Sequence, residues 1–582
     1  MLFAFLTLLV FAAGVGQFIM SVHLPHPWHR RGGDGPPQHR GHRPHVSSDE
    51  PSRVTSQVPH RVHFPNRPPK HLLASSRGQH RQKREQGGTT TPQTNTDSRN
   101  VAETPTQAEL MHPPSLRTSQ HDVTLASSMT VRRGKLCRAL HAFYYPWYGT
   151  PDVDGAWAHW DHPRMPHWTQ EVTDQFPKAR HKPPCDIGSA YYPFLGPYSS
   201  ANRTVVCQHA AWMAEAGIGV MVVSWFPPKQ HEGNGRELDK LFPLILDCAF
   251  QHDLRVAVHS EPYEGRDAKA VKRDIQYIHE TYGVHPGLYR AGPFALPVVY
   301  VYDPYSVPAE RWAETFRSSS VPSSIGSGDG TIRGTAFDAI AIALFLQGAE
   351  DTSKYLDVAG FDGGYNYFAS DTFTFASGHP HWSGLVRGAA SRKARRRGIV
   401  SSGRSSSVAL LPRSGDDQRG EFHDATVARF FVPCAGPGYE DRPVRPWNEE
   451  NSKDRQFGQF YRDALHAAAL AFPERHDGRR LEEQAPDGSG GDQRPAAPSS
   501  IATWSPSFVA ITSWNEWHEG TQIEPAASNP PDRRSSESDL FPYLTYDSAS
   551  SRGGGRTHHA KPAAADPMMY VAITRRFVEE FC

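Results

Sequence analysis

The sequence contains few cysteines, and no two of them are spaced as a CxxC pair. The six are Cys137, Cys185, Cys207, Cys248, Cys434 and Cys582. Structural zinc sites usually bring such pairs together, so no zinc–thiolate site is expected. Cys248 lies in an apolar run and is predicted to be in the core. Cys185 and Cys207 are candidates for a disulfide in an oxidising compartment, although a sequence cannot show the geometry that a disulfide needs.

An excess of charge of one sign is also absent. Lysine and arginine together number 62, aspartate and glutamate number 61, and the formal net charge is +1. Nucleic-acid-binding domains usually carry a basic face, so nucleic acid is not expected as a partner. No GxGxxG turn follows the first predicted strand, which disfavours an open dinucleotide-binding sheet.

Hydrophobic residues are scarce, at 38 % of the chain, whereas proline and glycine number 50 and 48. This composition predicts a globular core joined to segments that do not fold. Residues 22–135 are rich in Pro, His, Arg, Ser and Thr and show almost no apolar period, so they are predicted to form a disordered stem. A DNA-binding basic arm is the alternative interpretation, and the scattered positions of its charges disfavour it.

Residues 1–21 contain the one long apolar run. From Leu2 to Met20 the only polar residues are Thr7 and Gln17, and a helix of this length spans about 28 Å, enough for a thin bilayer core. We predict a signal-anchor transmembrane helix. A cleaved signal peptide is the alternative, with small residues at 14–16 as the cleavage site. The basic pair at 30–31 lies on the C-terminal side of the run, which opposes a lumenal placement of that side.

Eight short apolar segments rich in β-branched and aromatic residues follow the stem. They are 141–149, 219–226, 254–263, 297–305, 337–346, 360–368, 429–439 and 507–517. Their apolar runs are continuous, as expected for strands buried on both faces, and helical patterns over 210–216, 238–252 and 268–282 separate several of them. The sequence therefore predicts an α/β fold, a (β/α)₈ TIM barrel over residues 136–582. Low-complexity insertions are predicted near 393–424, 476–500 and 528–566.

The strongest chemical signal lies at the end of the eighth predicted strand, where Glu516 and Glu519 stand three residues apart in the sequence WNEWHEG. Glycoside hydrolysis needs two carboxyl groups, and the carboxyl ends of barrel strands form the active-site face. A zinc protease motif HExxH would need a second histidine at position 522, which is glutamine. A DxD motif at 152–154 is a weak match to metal-dependent glycosyltransferases. Two surface charges without a chemical role are the remaining alternative.

Several motifs together resemble a known family. They are HAFYYPWYG, DIGSAYYPFLGPYSS, VVSWFPP, HSEPY, YVYDPY, GFDGGYNYF, GPGY with RPWN, and SWNEWHEGTQIEP. In this order, from residue 141 to about 526, they resemble the endo-α-1,2-mannosidases of glycoside hydrolase family 99. The resemblance implies a (β/α)₈ fold, no metal or other cofactor, and a single-pass type II Golgi membrane protein with a lumenal catalytic domain. Its implied partners are a high-mannose N-glycan substrate and, through the N-terminal helix, the membrane.

The resemblance also implies roles for particular residues. Glu516 and Glu519 match the catalytic pair, the first assisting the substrate 2-hydroxyl and the second serving as acid and base. Five further residues match substrate-binding or active-site positions: Glu261, Tyr367, Arg445, Asn515 and Tyr145. The implied reaction is retaining cleavage of glucosylated high-mannose N-glycans with release of glucosyl-mannose oligosaccharides. Two alternatives stay open, a glycan-binding relative with impaired turnover and a Golgi glycosyltransferase.

Overall fold

The computed structural model describes residues 135–176, 178–233, 235–317, 330–400, 421–473, 503–533, 541–548 and 565–582. The predicted anchor 1–21, the predicted stem except for Lys135, and the predicted insertion 476–500 lie outside these residues. Within the described ranges, no helix combines the length and the apolar character that a membrane span requires.

Strands and helices alternate along the chain, and the strands are mostly short. The strands are β1 (Cys137–Tyr144), β2 (Ile218–Trp225), β3 (Arg255–Ser260), β4 (Arg290–Ala291), β5 (Leu296–Val301), β6 (Ile340–Leu344), β7 (Gly363–Tyr365), β8 (Lys393–Val400), β9 (Glu421–Ala428), β10 (Phe430–Val432), β11 (Cys434–Ala435), β12 (Thr503–Trp504) and β13 (Val509–Ile511). The α-helices are α1 (Pro151–Asp154), α2 (Gln170–Thr173), α3 (Arg203–Glu215), α4 (Phe242–Gln251), α5 (Ala268–Tyr282), α6 (Ala309–Phe316), α7 (Ala349–Asp351), α8 (Trp382–Ala390), α9 (Gln459–Leu470) and α10 (Met569–Phe581).

The main sheet is a nearly closed parallel barrel, which agrees with the TIM-barrel prediction. Its strands follow the order β10-β7-β6-β5-β3-β2-β1-β13-β11, with β4 added antiparallel to β5. Every residue of β2 and of β6 is buried. These strands are covered on both faces, which explains why their apolar runs are continuous rather than alternating.

The barrel has nine strands instead of the predicted eight because the seventh predicted strand is divided at Pro433. The part before the proline, β10, pairs with β7, and the part after it, β11, pairs with β13. Proline has no N–H to donate to a sheet, so the ladder is interrupted at this residue. Its carbonyl oxygen still accepts a hydrogen bond of 3.0 Å from the Ala510 N–H. The two half-strands therefore bring the ends of the sheet together.

Three helices predicted between strands are confirmed. The prediction of a helix over 268–282 coincides with α5. The predicted helix 238–252 consists of a short 3₁₀ turn, Leu238–Leu241, followed directly by α4. The predicted segment 210–216 is the C-terminal half of α3, which begins earlier, at Arg203.

Two of the predicted insertions include residues that the structure describes. The ends of the segment 393–424 lie in β8 and β9, which pair antiparallel and form a small sheet with β12. The third predicted insertion, 528–566, includes Arg533, whose buried guanidinium donates to the Ile187 carbonyl at 2.8 Å and to the Ser189 carbonyl. Tyr546 in the same segment is also buried. These residues pack against the barrel domain, a contribution that their low-complexity neighbours conceal in the sequence.

Two disulfides link distant parts of the domain, and neither is the suggested pair. Cys207 of α3 is bonded to Cys248 of α4, and Cys137 of β1 is bonded to Cys582 at the C-terminus. Cys185 is exposed and not in a disulfide. The suggestion of a Cys185–Cys207 bridge was therefore wrong, because pairing depends on which helices meet in the fold and not on proximity in sequence.

We expect the Cys207–Cys248 disulfide to stabilise the domain by restricting its unfolded state. Replacing both cysteines by serine should lower the free energy of unfolding by about 2 to 4 kcal/mol. Chemical denaturation followed by intrinsic fluorescence measures this change. Cys185→Ser is the matched control and should have an effect close to zero, because that thiol is exposed and unbonded. An equal loss in the control would contradict the assigned pairing.

Candidate active site

Glu516 and Glu519 lie in the turn that follows β13, at the carboxyl-terminal end of the barrel strands. Their side chains are buried, with 1 % and 2 % of their surface exposed. Water cannot solvate a carboxylate at such a position, so the charged form of each is disfavoured. Two adjacent buried carboxyl groups of this kind are rare outside functional sites.

Glu516 is held at one oxygen and left available at the other. Its Oε1 accepts a hydrogen bond of 3.1 Å from the His518 backbone N–H, and the His518 ring nitrogen Nδ1 lies 3.7 Å from the same oxygen. Its Oε2 is buried and has no hydrogen-bond partner among the described residues. Burial, reinforced by the charge of Glu519, raises the pKa of Glu516 well above its usual range.

Glu519 faces a single guanidinium group. Arg445 Nη1 lies 4.0 Å from its Oε1, which accepts no hydrogen bond from any residue that the structure describes. Burial raises the pKa of Glu519 to about 7, although the Arg445 charge acts in the opposite direction. A carboxyl group with this pKa can hold a proton near neutral pH and release it in a reaction.

Asp441 fixes Arg445 in this position. Its Oδ2 accepts hydrogen bonds from Arg445 Nη1 at 3.0 Å, Tyr439 Oη at 2.8 Å and Asn448 Nδ2 at 2.9 Å. Sequence reasoning did not identify Asp441. The signal was present, because an aspartate four residues before an arginine can form an ion pair across one helical turn.

Other predicted site residues lie on neighbouring strand ends. Glu261 follows β3, is buried, and has its Oε1 3.0 Å from His259 Nδ1. Tyr145 follows β1 and Tyr367 follows β7, and the hydroxyl groups of these two buried tyrosines hydrogen-bond to each other. The pKa of both tyrosines is raised by burial and by the surrounding glutamates, Glu516 and Glu519 among them. The structure thus brings these three residues to the same face of the barrel as the glutamate pair.

Asn515 joins the end of β13 to the end of β1 through hydrogen bonds. Its Oδ1 accepts from the Tyr145 N–H at 2.7 Å, and its Nδ2 donates to the Tyr145 carbonyl at 2.9 Å and to Tyr198 Oη at 3.3 Å. Both amide hydrogens are therefore engaged within the protein, and the side chain is fully buried. The geometry shows that Asn515 fixes the glutamate turn relative to β1. The prediction that it also binds sugar stays a prediction.

The far end of the turn is anchored by Arg455, which the sequence did not reveal. Its Nη2 donates to the carbonyl groups of Gly520 at 2.9 Å and Gln522 at 2.7 Å. The guanidinium lies over three aromatic rings, at 4.4 to 4.9 Å from their centroids; these belong to Tyr191, Tyr546 and Tyr570. A buried cation is stabilised by such ring faces. We call these three tyrosines the tyrosine cage. No local sequence pattern indicates it, because its members come from three distant segments.

Glu524 forms a second support below the turn. Its two carboxylate oxygens accept from Tyr198 Oη at 2.7 Å, Trp517 Nε1 at 3.1 Å and His209 Nε2 at 3.1 Å. The bonds to Tyr198 and His209 tie the glutamate segment to the loop 187–200 and to α3, and the bond from Trp517 lies within the segment. Because the carboxylate is fully buried, removing any one partner would leave polar groups unsatisfied.

The structure gives local roles to the residues of two competing motifs. Asp154 of the DxD sequence pairs with Arg236 at 3.0 Å and accepts from the Thr150 N–H at 2.8 Å. His518 of the HE pair has Nε2 3.0 Å from the His159 carbonyl oxygen. In the described part of the chain, no three His, Cys, Asp or Glu side chains converge as metal ligands would.

Comparison with known proteins identifies relatives of similar length. The model of glycosyl hydrolase family 99 matches residues 135–402 and 420–482, and Glu516 lies beyond the end of this match. A human glycoprotein endo-alpha-1,2-mannosidase-like protein is 35 % identical over 445 residues, covering 76 % of this chain and 75 % of its own. A rat glycoprotein endo-alpha-1,2-mannosidase is 34 % identical over 447 residues, covering 76 % and 74 %. The solved GH99 endo-alpha-mannosidase from Bacteroides thetaiotaomicron matches with a TM-score of 0.54 and 29 % identity, over 77 % of this chain and 98 % of that one.

The raised pKa of Glu519 predicts a specific pH dependence of stability. Between the ordinary glutamate pKa of 4.5 and about 7, the folded protein retains a proton that the unfolded chain releases. The Glu519 proton should therefore lower stability by an amount on the order of 3 kcal/mol as pH rises through this window. Glu516, whose pKa is also raised well above its usual range, adds a fall of its own. Glu519→Gln removes the Glu519 contribution and should be more stable than wild type at pH 8 but not at pH 4.5. Urea denaturation across pH measures it.

Glu280, an exposed residue of α5, provides the matched control for this measurement. Glu280→Gln should follow the wild-type pH dependence. If Glu519→Gln also followed the wild-type pH dependence, the proton would have to reside on Glu516 and not on Glu519.

Proposed function

The chain belongs to glycosyl hydrolase family 99 and is a glycoside hydrolase, and from this membership we propose that it is a retaining endo-α-1,2-mannosidase. Its proposed substrates are glucosylated high-mannose N-glycans, from which it releases glucosyl-mannose oligosaccharides. The observation that carries the proposal is the buried pair of Glu516 and Glu519 at the active-site end of the barrel. The names of the human and rat relatives support the choice of substrate.

The stereochemistry of an α-mannoside suggests the mechanism. The axial 2-hydroxyl is anti to the leaving group at C1, so its oxygen can attack C1 from behind. Glu516 takes the 2-hydroxyl proton as the O2–C1 bond forms, and Glu519 gives its proton to the glycosidic oxygen as the C1–O bond breaks. Water then opens the 1,2-anhydro sugar, losing a proton to Glu519 while Glu516 returns one to O2. Two inversions at C1 give net retention, without the usual covalent glycosyl-enzyme.

The environments of the two glutamates fit a pair that holds and releases protons near neutral pH, because burial raises the pKa of both. Glu516 has one oxygen held by a backbone N–H and another oxygen without a partner among the described residues, an arrangement suited to receiving a proton. Glu519, with a pKa of about 7, suits a group that gives and takes a proton near neutral pH. Arg445, 4.0 Å away, stabilises the carboxylate that remains after the proton has left.

Substrate binding is assigned to residues around the pair. Glu261 and Tyr367 supply a carboxylate and a hydroxyl for sugar hydroxyl groups, and Arg445 supplies N–H donors at the cleavage position. Tyr145, bonded to Tyr367, completes the wall of the site. Asn515 is retained as a binding residue in this proposal, although its amide donors are engaged in the structure.

We further propose a single-pass type II placement in the Golgi membrane, with residues 1–21 as anchor, 22–135 as stem and the barrel in the lumen. Two disulfides in the barrel domain support a lumenal site, because disulfides persist in oxidising compartments and are rare in the cytosol. A cleaved signal peptide would place the same domain in the lumen without the anchor. No nucleic acid is proposed as a partner.

Incubation of the purified full-length protein with a monoglucosylated high-mannose glycan tests the proposed activity. We expect release of a glucosyl-mannose disaccharide, identified by mass, and none from Glu516→Gln or Glu519→Gln. Release of free glucose or single mannose units would contradict endo cleavage. Binding of the glycan without product would favour the glycan-binding alternative, and product formation only with a nucleotide sugar would favour the glycosyltransferase.

The two glutamates should respond differently to the leaving group. On a glucosyl-mannosyl fluoride, Glu519→Gln should recover most of its loss, because fluoride departs without protonation, whereas Glu516→Gln should stay impaired. General acid catalysis is typically worth about 10² to 10⁴-fold, so the contrast in kcat/KM should be large. Steady-state rates on the fluoride and the natural glycan measure it. Recovery of Glu516→Gln alone would reverse the two assignments.

A further inference from the structure

The surface beside the glutamate site carries an exposed aromatic cluster. Trp168 is 58 % exposed, more than any other large hydrophobic residue in the described ranges. Its ring lies 3.5 Å from that of His167 and 5.3 Å from that of Trp447, the latter at an interplanar angle of 80°. We call His167, Trp168 and Trp447 the tryptophan corner. Exposed aromatic surface of this size has an energetic cost in water and commonly marks a binding site.

Hydrogen bonds fix two rings of the corner, those of Trp447 and His167, before any ligand arrives. Trp447 Nε1 donates to the Met165 carbonyl at 3.1 Å, and the Met165 N–H donates to the Val444 carbonyl at 2.7 Å. The His167 ring nitrogen Nδ1 accepts from the Thr169 N–H at 3.0 Å. A ligand that binds rigid rings loses less free energy to side-chain ordering than one that binds mobile rings.

Two connections join the corner to the catalytic glutamates. Trp447 follows Arg445 by two residues, a separation of at most about 7 Å between Cα atoms, and Arg445 lies 4.0 Å from Glu519. The second connection runs through the segment that leads to His167. The ring of His162, five residues before His167, lies 4.8 Å from the His518 ring, and the His518 N–H donates to Glu516. The corner is therefore joined to both glutamates, most directly through Arg445, which faces Glu519.

The order of the strands places the start of the loop that carries Arg445 and Trp447 opposite the strand that leads to Glu261. Starting at β3, which precedes Glu261, the sheet passes through β2, β1 and β13 before it reaches β11, the strand that leads to Trp447. With the half-strands β10 and β11 counted as one position, four steps around a ring of eight positions lead to the opposite wall. The loop that carries Arg445 and Trp447 therefore leaves the barrel on the wall opposite the one that carries Glu261.

We propose that the tryptophan corner is a binding site for the mannose residues of the departing part of the glycan, beyond the cleaved bond. This rests on the proposed function, in which Glu519 protonates the leaving oxygen, so the sugars nearest Glu519 and Arg445 are those that leave. The C–H faces of mannose stack on indole rings, and the exposed carboxylate of Glu449, which pairs with Arg442 at 3.4 Å, has further lone pairs that can accept from sugar hydroxyl groups. A neutral, branched oligosaccharide of mannose fits this combination of apolar faces and acceptors.

Trp168→Ala tests the proposal on two substrates. On a monoglucosylated high-mannose glycan, kcat/KM should fall about 5- to 10-fold, mainly through a higher KM. On glucosyl-mannosyl fluoride, which has no sugar on the leaving side, kcat/KM should be unchanged. Trp168→Tyr should restore most of the loss. Phe250→Ala is the matched control, because Phe250 is also an exposed aromatic residue but lies at the C-terminal end of α4, where the chain enters β3 at the other face of the barrel.

Binding of the departing product provides a readout that does not need turnover. Calorimetry should show that the high-mannose oligosaccharide without its glucosyl-mannose unit binds Trp168→Ala more weakly than wild type, by a similar factor. Equal affinity, or equal losses on both substrates, would overturn the proposal. Failure of the wild type to cleave either substrate would instead refute the proposed function, and the calorimetric comparison would still decide whether the corner binds mannose.

Discussion

The structure depends on keeping two carboxyl groups out of water within one turn of chain. Glu516 and Glu519 are both almost fully buried, and the nearby cation, Arg445, is 4.0 Å from only one of them. Burial raises the pKa of each, reinforced at Glu516 by the charge of Glu519 and at Glu519 by the charges of Asp441 and Glu261, so the pair resists full ionisation near neutral pH. This unfavourable arrangement is what a proton donor and a proton acceptor side by side require, and it must be stabilised by the rest of the domain.

The supporting contacts come from the whole barrel. Asn515 ties the start of the turn to β1, Arg455 holds its end through two carbonyl groups, and Glu524 joins it to α3 through His209. Each support is a buried polar group whose partners come from other segments. Buried networks of this kind stabilise a single geometry, because any displacement leaves groups unsatisfied. The same rigidity extends outward through Arg445 to the exposed aromatic surface near the site.

The features that could be predicted from the sequence are those that a local pattern or a motif determines. Continuous apolar runs identified the barrel strands, and the spacing of Glu516 and Glu519 after the last run identified the candidate pair. The sequence could not predict features that arise when distant segments meet. The Cys137–Cys582 disulfide joins residues 445 positions apart, and the tyrosine cage around Arg455 draws on three separate segments. The division of the seventh strand depends on the pairing of its two halves with different strands. The proline at position 433 is visible in the sequence, but these partners are not.

The central claim is that the buried pair cleaves the bond through two successive inversions at C1, with net retention. The most direct test is the configuration of the first-formed product, followed by proton NMR during rapid hydrolysis of a glucosyl-mannosyl fluoride before mutarotation. The account predicts that the α-anomer of the released disaccharide appears first and the β-anomer only later, at the rate of mutarotation. Initial formation of the β-anomer would contradict it, because a single displacement by water would then be at work.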